Sequence, residues 1–390
     1  MEKKSLKSYP LLVCFALFIL IMFVADMIMS RREYSEMENR YLKQRPVFSV
    51  KSLIENEYTL KYEEYINDQF VGRDAWITLK SVSETVLGKI ENNGVAYGRE
   101  GYQFEKAPSA DEATLRNNMG YLLDFLEEYQ GHVTVGIIPN SYQMLRDKIP
   151  VSFPGVDQEP YIREVYDAVK DKADHLELSA VMAEHAGEYI YYRTDHHWTT
   201  LGAFYAYEAY ARSRGLEAAS REDIAPYARN VENFLGTYYS KSKKFDTRSD
   251  IITWYDFLVG EVTIDGKTTV LNTKKEEIPV EGMYEASKWE ERDKYAAFLY
   301  GNNGLTVIPS GCNLDRQEGR VSRVLLIKDS YGNSFAPFLT WSYDEVYVVD
   351  LRSLTEKMSE LTSRVQFDDV LILYNYQSFE SDRNIARLTY

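Results

Sequence analysis

From Asp111 onward, stretches with helical periodicity alternate with short, β-branched apolar runs, and this rhythm constrains the fold more than any other feature. Asp111 to Tyr129 reads as an amphipathic helix with an acidic start, and His132 to Pro139 as a buried strand. Tyr161 to Ala173 reads as a helix, Glu188 to Arg193 as a strand and Thr200 to Arg214 as a helix. Val324 to Ile327, Val346 to Val349 and Val370 to Leu373 resume the pattern, each followed by polar or helical sequence. Strands alternating with helices form a parallel sheet covered on both faces. The expectation is a three-layer α/β domain with a parallel sheet of about five strands. Ligands of such sheets sit beyond the carboxyl ends of the strands.

Two stretches at such ends carry chemistry: Arg193-Thr194-Asp195-His196-His197-Trp198-Thr199 and Lys328-Asp329-Ser330-Tyr331-Gly332-Asn333. A serine hydroxyl is a poor nucleophile near neutral pH and needs an imidazole base, itself held by a carboxylate. Ser330 leaves a strand on a strand-to-helix turn and is the candidate nucleophile; the plain alternative is a helix N-cap. Residues two apart in an extended segment point the same way, so Asp195 can hold His197 toward one site while His196 faces away in a structural role. Zinc ligation by Asp195, His196 and His197 is the competing reading, but the chain has five His and no H-x-x-x-H spacing. Acyl transfer also needs donors for a tetrahedral oxyanion. The Ser330 N–H is one, and Gly301, Asn302 and Asn303 supply a second or else form a plain turn. Tyr300, Tyr331, Trp198, Arg193 and Asn333 are candidates for substrate contact or support. Neither a metal nor a cofactor is expected.

These residues carry a resemblance. T-D-H-H-W-T resembles the signature of the bacterial DHHW proteins, and K-D-S-Y-G-N-S-F their serine block. That family is similar to the SGNH-like polysaccharide O-acetyltransferases, including those acting on alginate. The likeness extends from about Ser35 to the C-terminus, through E-N-R (38–40), D-x-F-x-x-R-D (68–74), I-P-N-S-Y (138–142), F-L-Y-G-N-N (298–303) and V-V-D-L-R (348–352). It implies an SGNH-hydrolase-like domain in which the Asp-His pair precedes the serine, a permuted order that the alginate-type enzymes share. It further implies an O-acetyltransferase or acetylesterase with a polysaccharide acceptor, and a membrane-bound O-acyltransferase as the acetyl supplier. A non-catalytic scaffold or glycan-binding role in a cell-envelope polysaccharide assembly is the alternative.

The N-terminus agrees with a place outside the cytoplasm. Lys3, Lys4 and Lys7 precede an apolar run from Pro10 to Met29 interrupted only by Asp26. That is about the 20 residues a bilayer-crossing helix needs, and no small-residue cleavage site follows. The expected division is a cytoplasmic tail (1–8), a transmembrane signal anchor (9–30), a helical stem (31–92) and the main domain (93–390), with an insertion at about 221–320. Inside that insertion, Asp265-Gly266 between Glu261–Ile264 and Thr268–Asn272 reads as a hairpin; so does the pair Val95–Tyr97 and Tyr102–Phe104. The formal charge of −15 argues against a nucleic-acid partner, because phosphate binding needs clustered Lys and Arg. The two cysteines, one of them in the apolar run, make a disulfide within the folded domain unexpected.

Overall fold

The computed structural model describes residues 9–390, so the expected tail at 1–8 lies outside the described residues. The chain divides into two compact units: residues through Ile90 with Lys243–Asp246, and Glu91–Ser242 with Thr247–Tyr390.

The first unit begins with helix α1 (Pro10–Ile28), which is long and apolar enough to cross a membrane and buries none of its side chains. A short helical turn at Val50–Ile54 follows, and then two longer helices, α2 (Glu57–Asp68) and α3 (Arg73–Val86). The charged residues of E-N-R and D-x-F-x-x-R-D meet here. Asp68 accepts from Arg40 at 2.8 and 2.6 Å and from the Lys43 N–H at 2.8 Å. Glu38 pairs with Arg40 at 3.0 Å, with Lys243 at 3.0 Å and with Arg73. The Arg40 guanidinium holds the Asp68 carboxylate below its ordinary pKa. Such buried carboxylates persist only when fully paired.

The second unit is the α/β domain. In chain order its main helices are α4 (Glu112–Glu128), α5 (Glu159–Val169), α6 (Thr200–Arg214) and α7 (Gly332–Leu339). Its central sheet contains β1 (Val133–Ile138), β2 (Asp174–Leu176), β3 (Thr263–Ile264), β4 (Leu305–Pro309), β5 (Arg323–Lys328), β6 (Glu345–Val349) and β7 (Asp369–Asn375), in the spatial order β3-β4-β6-β5-β7-β1-β2. The five from β6 to β2 are parallel; β3 and β4 are antiparallel additions at one edge. Side chains of β5 alternate between two cores. Val324 and Leu326 face the core that includes α6 and α7, and Leu325 and Ile327 face the one that includes α4 and α5. Burial on both faces explains why these strands read as continuous apolar runs.

Three expectations need correction. The sheet has seven strands, because the insertion at 221–320 adds β3 and β4 to it. Residues 263–271 do turn at Asp265 and Gly266, both with positive φ, and Ile264 pairs with Lys267 across that turn, but beyond this pair the arms diverge. Thr263–Ile264 pairs with β4, whereas Thr269–Leu271 pairs with Glu277–Pro279. Glu188–Arg193 is no sheet strand either; its backbone folds back on residues 197–199, and its one ladder pair is Tyr191 with Trp198. The hairpin read from Val95–Tyr97 and Tyr102–Phe104 forms with its second arm one residue later, at Gln103–Glu105.

Asp68→Asn removes the charge that the Arg40 and Lys43 donors converge on. It is expected to lower the opening free energy of α2 and α3 by about 2 kcal/mol, read as lost amide-exchange protection. Unchanged protection would mean that the ion cluster contributes nothing to this unit.

Candidate active site

Strand β5 ends at Lys328, and the chain turns sharply through Asp329 and Ser330 into α7. The buried Asp329 carboxylate shapes this turn, accepting the Tyr331 N–H at 2.9 Å and the Asn375 N–H of β7 at 3.0 Å. Burial pushes its pKa up, against the pull of the Ser378 hydroxyl, the two backbone N–H donors and the Arg352 charge. The turn's own bonds run from Gly332 N to Asp329 O and from Asn333 N to Ser330 O, leaving the Ser330 N–H unused by them.

The Asp-His stretch reaches the same point as a closed loop. Tyr192 N donates to His197 O at 3.2 Å and Thr199 N to Ile190 O at 2.9 Å, drawing residues 193–197 into a bend. Asp250, buried, pins its start by accepting from Thr194 N at 2.8 Å, Thr194 Oγ1 at 2.7 Å and Arg193 N at 3.1 Å. Within the bend, Asp195 Oδ1 accepts the His197 N–H at 3.0 Å and lies 2.6 Å from His197 Nδ1. His197 Nε2 lies 2.7 Å from Ser330 Oγ. Asp195 and His197 therefore do share a direction, through this bend and not through extended backbone.

Thr237 N donates to Asp195 Oδ2 at 2.7 Å. Burial opposes the Asp195 charge, but His196, His197 and the Thr237 N–H outweigh it and hold the carboxyl far below the usual carboxylate range. It is thus an anion available to orient the imidazole and to stabilise its protonated form. His196 is pushed down to about 4, by burial first and by the neighbouring His197, so it is neutral near pH 7. Asp195, His196 and His197 do cluster closely enough to hold a metal. Three ligand atoms of that set are already engaged, however, with Asp195 Oδ1 on His197 Nδ1 and His197 Nε2 on Ser330.

The other sequence candidates separate by environment. Trp198 is fully buried and donates from Nε1 to Tyr331 O and Ser334 Oγ, both at 3.0 Å, which ties the loop to α7 and leaves no face for substrate. The Tyr331 hydroxyl donates to His196 O, so it too is a brace. Arg193 sits against the Tyr102 and Tyr189 rings and near Asp250. Gly301 spends its N–H on Phe298 O, and the Asn303 amide donates to Leu299 O at 2.7 Å, so both are consumed inside their own loop. The Tyr300 hydroxyl accepts from Glu281 N. Asn302 is exposed, and its Oδ1 accepts from Asn333 Nδ2 at 3.0 Å. Leu299, Tyr300 and Gly301 all have positive φ, a strain of about 1–3 kcal/mol at each of the two non-glycine positions that the surrounding bonds hold in place.

Reading the sequence missed four contributors, all in the insertion: Gly236, Thr237, Asp250 and Tyr295. The Tyr295 ring stacks on His197 with centroids 3.9 Å apart and planes 11° apart. Its hydroxyl donates toward Ser330 O at 3.0 Å and lies 3.1 Å from Ser334 Oγ. Gly236 packs so closely on Asp195 that a Cβ there would stand 2.2 Å from the Asp195 Cβ. No local pattern marks these positions. By contrast, a cavity of about 610 Å3 among Phe125, Tyr129, Phe367 and Leu388 lies at the opposite, amino-terminal edge of the sheet, without a nucleophile–base pair.

The family model described as "DHHW protein" matches residues 86–349, most of the second unit and both motifs. The chain belongs to the DHHW protein family. A DHHW family protein from Eubacterium siraeum DSM 15702 superposes with a TM-score of 0.62 at 20% identity, over 76% of this chain and 96% of that one. Bacillus cereus PatB1 carrying a sulfonyl adduct gives a TM-score of 0.55 at 15% identity, over 76% of this chain and 100% of that one. PatB1 without the adduct gives 0.55 at 18%, over 73% and 97%. At these identities the likeness establishes the fold, a mixed α/β domain with a mostly parallel sheet. Comparison with curated proteins returned no match.

Gly236→Ala in this DHHW protein should displace Asp195 without removing any group of the relay. A misplacement of about 1 Å costs on the order of 100-fold in rate, so Ser330 labelling by a fluorophosphonate should slow by about that factor. Labelling at the native rate would show that the Asp195 position does not govern the serine.

Proposed function

We propose that this DHHW protein is an extracytoplasmic acyltransferase that moves acetyl groups on a cell-surface polysaccharide, or hydrolyses them as the related esterase. The observation that carries this reading is the continuous Asp195–His197–Ser330 relay, with links of 2.6 and 2.7 Å. Family membership, and the resemblance of this family to SGNH-like polysaccharide O-acetyltransferases, supports the substrate class. Helix α1 supports a membrane tether, as a signal anchor for a body outside the cytoplasm.

In the proposed reaction Ser330 Oγ attacks the acetyl carbonyl carbon while His197 Nε2 takes the hydroxyl proton. Asp195 holds the resulting imidazolium, and the Ser330 N–H points a donor toward the oxyanion. Collapse breaks the bond to the donor's oxygen, which leaves with the proton from His197, and acetyl-Ser330 remains. A sugar hydroxyl then attacks that ester, passing its proton to His197, and Ser330 regains its own as it leaves. With water as the acceptor the product is acetate.

The test is release of acetate from an aryl acetate by the purified protein, with and without oligosaccharide. The native protein should show acetate release or acetylated sugar, and Ser330→Ala should lose at least about 1,000-fold. Equal activity in both would remove the triad reading. Failure of a sulfonyl fluoride or fluorophosphonate to label native Ser330 would favour the non-catalytic scaffold instead.

A partner follows from topology. Acyl donors carried on coenzyme A are cytoplasmic, and one helix forms no path across a bilayer for an acetyl group. We propose that a polytopic membrane-bound O-acyltransferase supplies it. Deleting a neighbouring gene for such a protein should abolish acetylation of the surface glycan while this protein is still made; persisting acetylation would overturn the partnership.

A further inference from the structure

Lys328, the residue that closes β5, is almost completely buried, and its charge has a defined surrounding. Nζ lies 3.0 Å from Asp350 Oδ2 and 3.1 Å from Asn302 Oδ1. Asp350 also receives Arg352, at 2.8 Å from Nε and 2.5 Å from Nη2. The Ser353 hydroxyl donates to the Asn302 backbone carbonyl at 2.8 Å. Thus F-L-Y-G-N-N (298–303) and V-V-D-L-R (348–352), two stretches with no part in the relay, converge on the lysine two residues before Ser330.

The chemistry of these groups fixes their orientation. An ammonium only donates, so the Asn302 atom facing Lys328 is its carbonyl oxygen. Asn333 faces that same oxygen at 3.0 Å and must present its NH2. The Asn302 NH2 is then turned away from Lys328 and Asn333, on an exposed side chain. Asn333 lies on the first turn after the nucleophile, its N–H bonded to Ser330 O at 3.2 Å. A buried ammonium would be costly for stability alone, and burial indeed pushes the Lys328 pKa down against the pull of Asp350.

We propose that Lys328, held by Asp350, is a positioning residue that aims the Asn302 side-chain amide at the oxyanion formed on a substrate at Ser330. This rests on the acyl-transfer reading above and gives it a second oxyanion donor beside the Ser330 N–H. The ammonium does not touch the substrate. It acts by fixing which end of the Asn302 amide faces the reacting carbonyl, and by polarising that amide through its oxygen.

A double-mutant cycle on aryl acetate turnover tests it. Asn302→Ala should lower kcat by about 100-fold with little change in KM, the scale of one lost oxyanion donor. Lys328→Met should lower kcat by about 10-fold or more, again with KM little changed. Asp350 keeps its Arg352 fork in that variant, so the charge left behind stays paired. The double variant should be no slower than Asn302→Ala within about twofold, because Lys328 acts through Asn302. Losses that multiply would assign Lys328 a structural role and overturn the proposal, as would native kcat in either single variant. Should Lys328→Met fail to fold, Lys328→Gln enters the same cycle under the same criteria. Ser330→Ala is the control: if it turns over like the native protein, the acyl-transfer reading falls and takes this inference with it. If only the cycle fails, the triad stands without Lys328.

Discussion

The site depends on keeping one carboxylate charged in the dry interior. Asp195 is almost wholly buried, and an ionised carboxylate there is tolerable only when its oxygens are bonded. Its three donors, His197 N, His197 Nδ1 and Thr237 N, come from two segments separated by 40 residues. Meeting that demand dictates much else: a bend at 193–197, a second buried acid, Asp250, to fasten its start, and a residue without Cβ at Gly236. The imidazole this leaves facing Ser330 is held edge-on by the two polar contacts and face-on by Tyr295. A side chain fixed in this way needs little rearrangement when a proton moves, which is what general base catalysis asks of its support.

The parallel sheet provides the other half of the constraint. Ser330 rides on β5, whose neighbours β6 and β7 bond it on both edges while packed side chains cover both faces. Asp329 then links the end of β5 to Asn375 at the end of β7. Ser330 therefore follows a strand held on both edges and both faces. The His loop, which has almost no regular backbone pairing, is brought to it by side-chain bonds such as those of Trp198 and Tyr331.

This difference in support explains what was legible in the sequence. Strands at 324–327, 346–349 and 370–373 were readable because burial on both faces writes an unbroken apolar run, and Ser330, Asp195 and His197 because few other residue types suit their chemistry. Tyr189–Tyr192 misled because aromatic and Ile side chains favour strands in general. Here the same side chains are buried in the core, and Tyr191 reaches Pro139 O through its hydroxyl while its backbone pairs only locally. At 263–271 the Asp-Gly turn was correctly read, but a turn says nothing about which partner each arm then finds. Thr237, Asp250 and Tyr295 were invisible because their role is set by contacts across 35 to 98 residues of chain. The insertion at 221–320 is the part of the chain that holds Asp195 and His197 in place.

Charge is distributed across the site in a sense that suits acyl transfer. The buried anion Asp195 reaches Ser330 through His197; the buried cation Lys328 is bonded to Asn302, the oxyanion donor of the proposed reaction. In the proposed reaction the transition state separates charge in the complementary sense, with a cation forming on His197 and an anion on the carbonyl oxygen. Fixed opposite charges at the two ends stabilise that separation more than they stabilise the neutral ground state, and catalysis requires such a difference. Each fixed charge is also kept from collapsing onto the other. Asp195 is occupied by its three donors, and Lys328 is anchored to Asp350, which also binds Arg352. In the proposed reaction a serine that follows a strand paired on both edges, with Lys328 acting through Asn302, gives a physical reason for a protein to bury a lysine two residues before it.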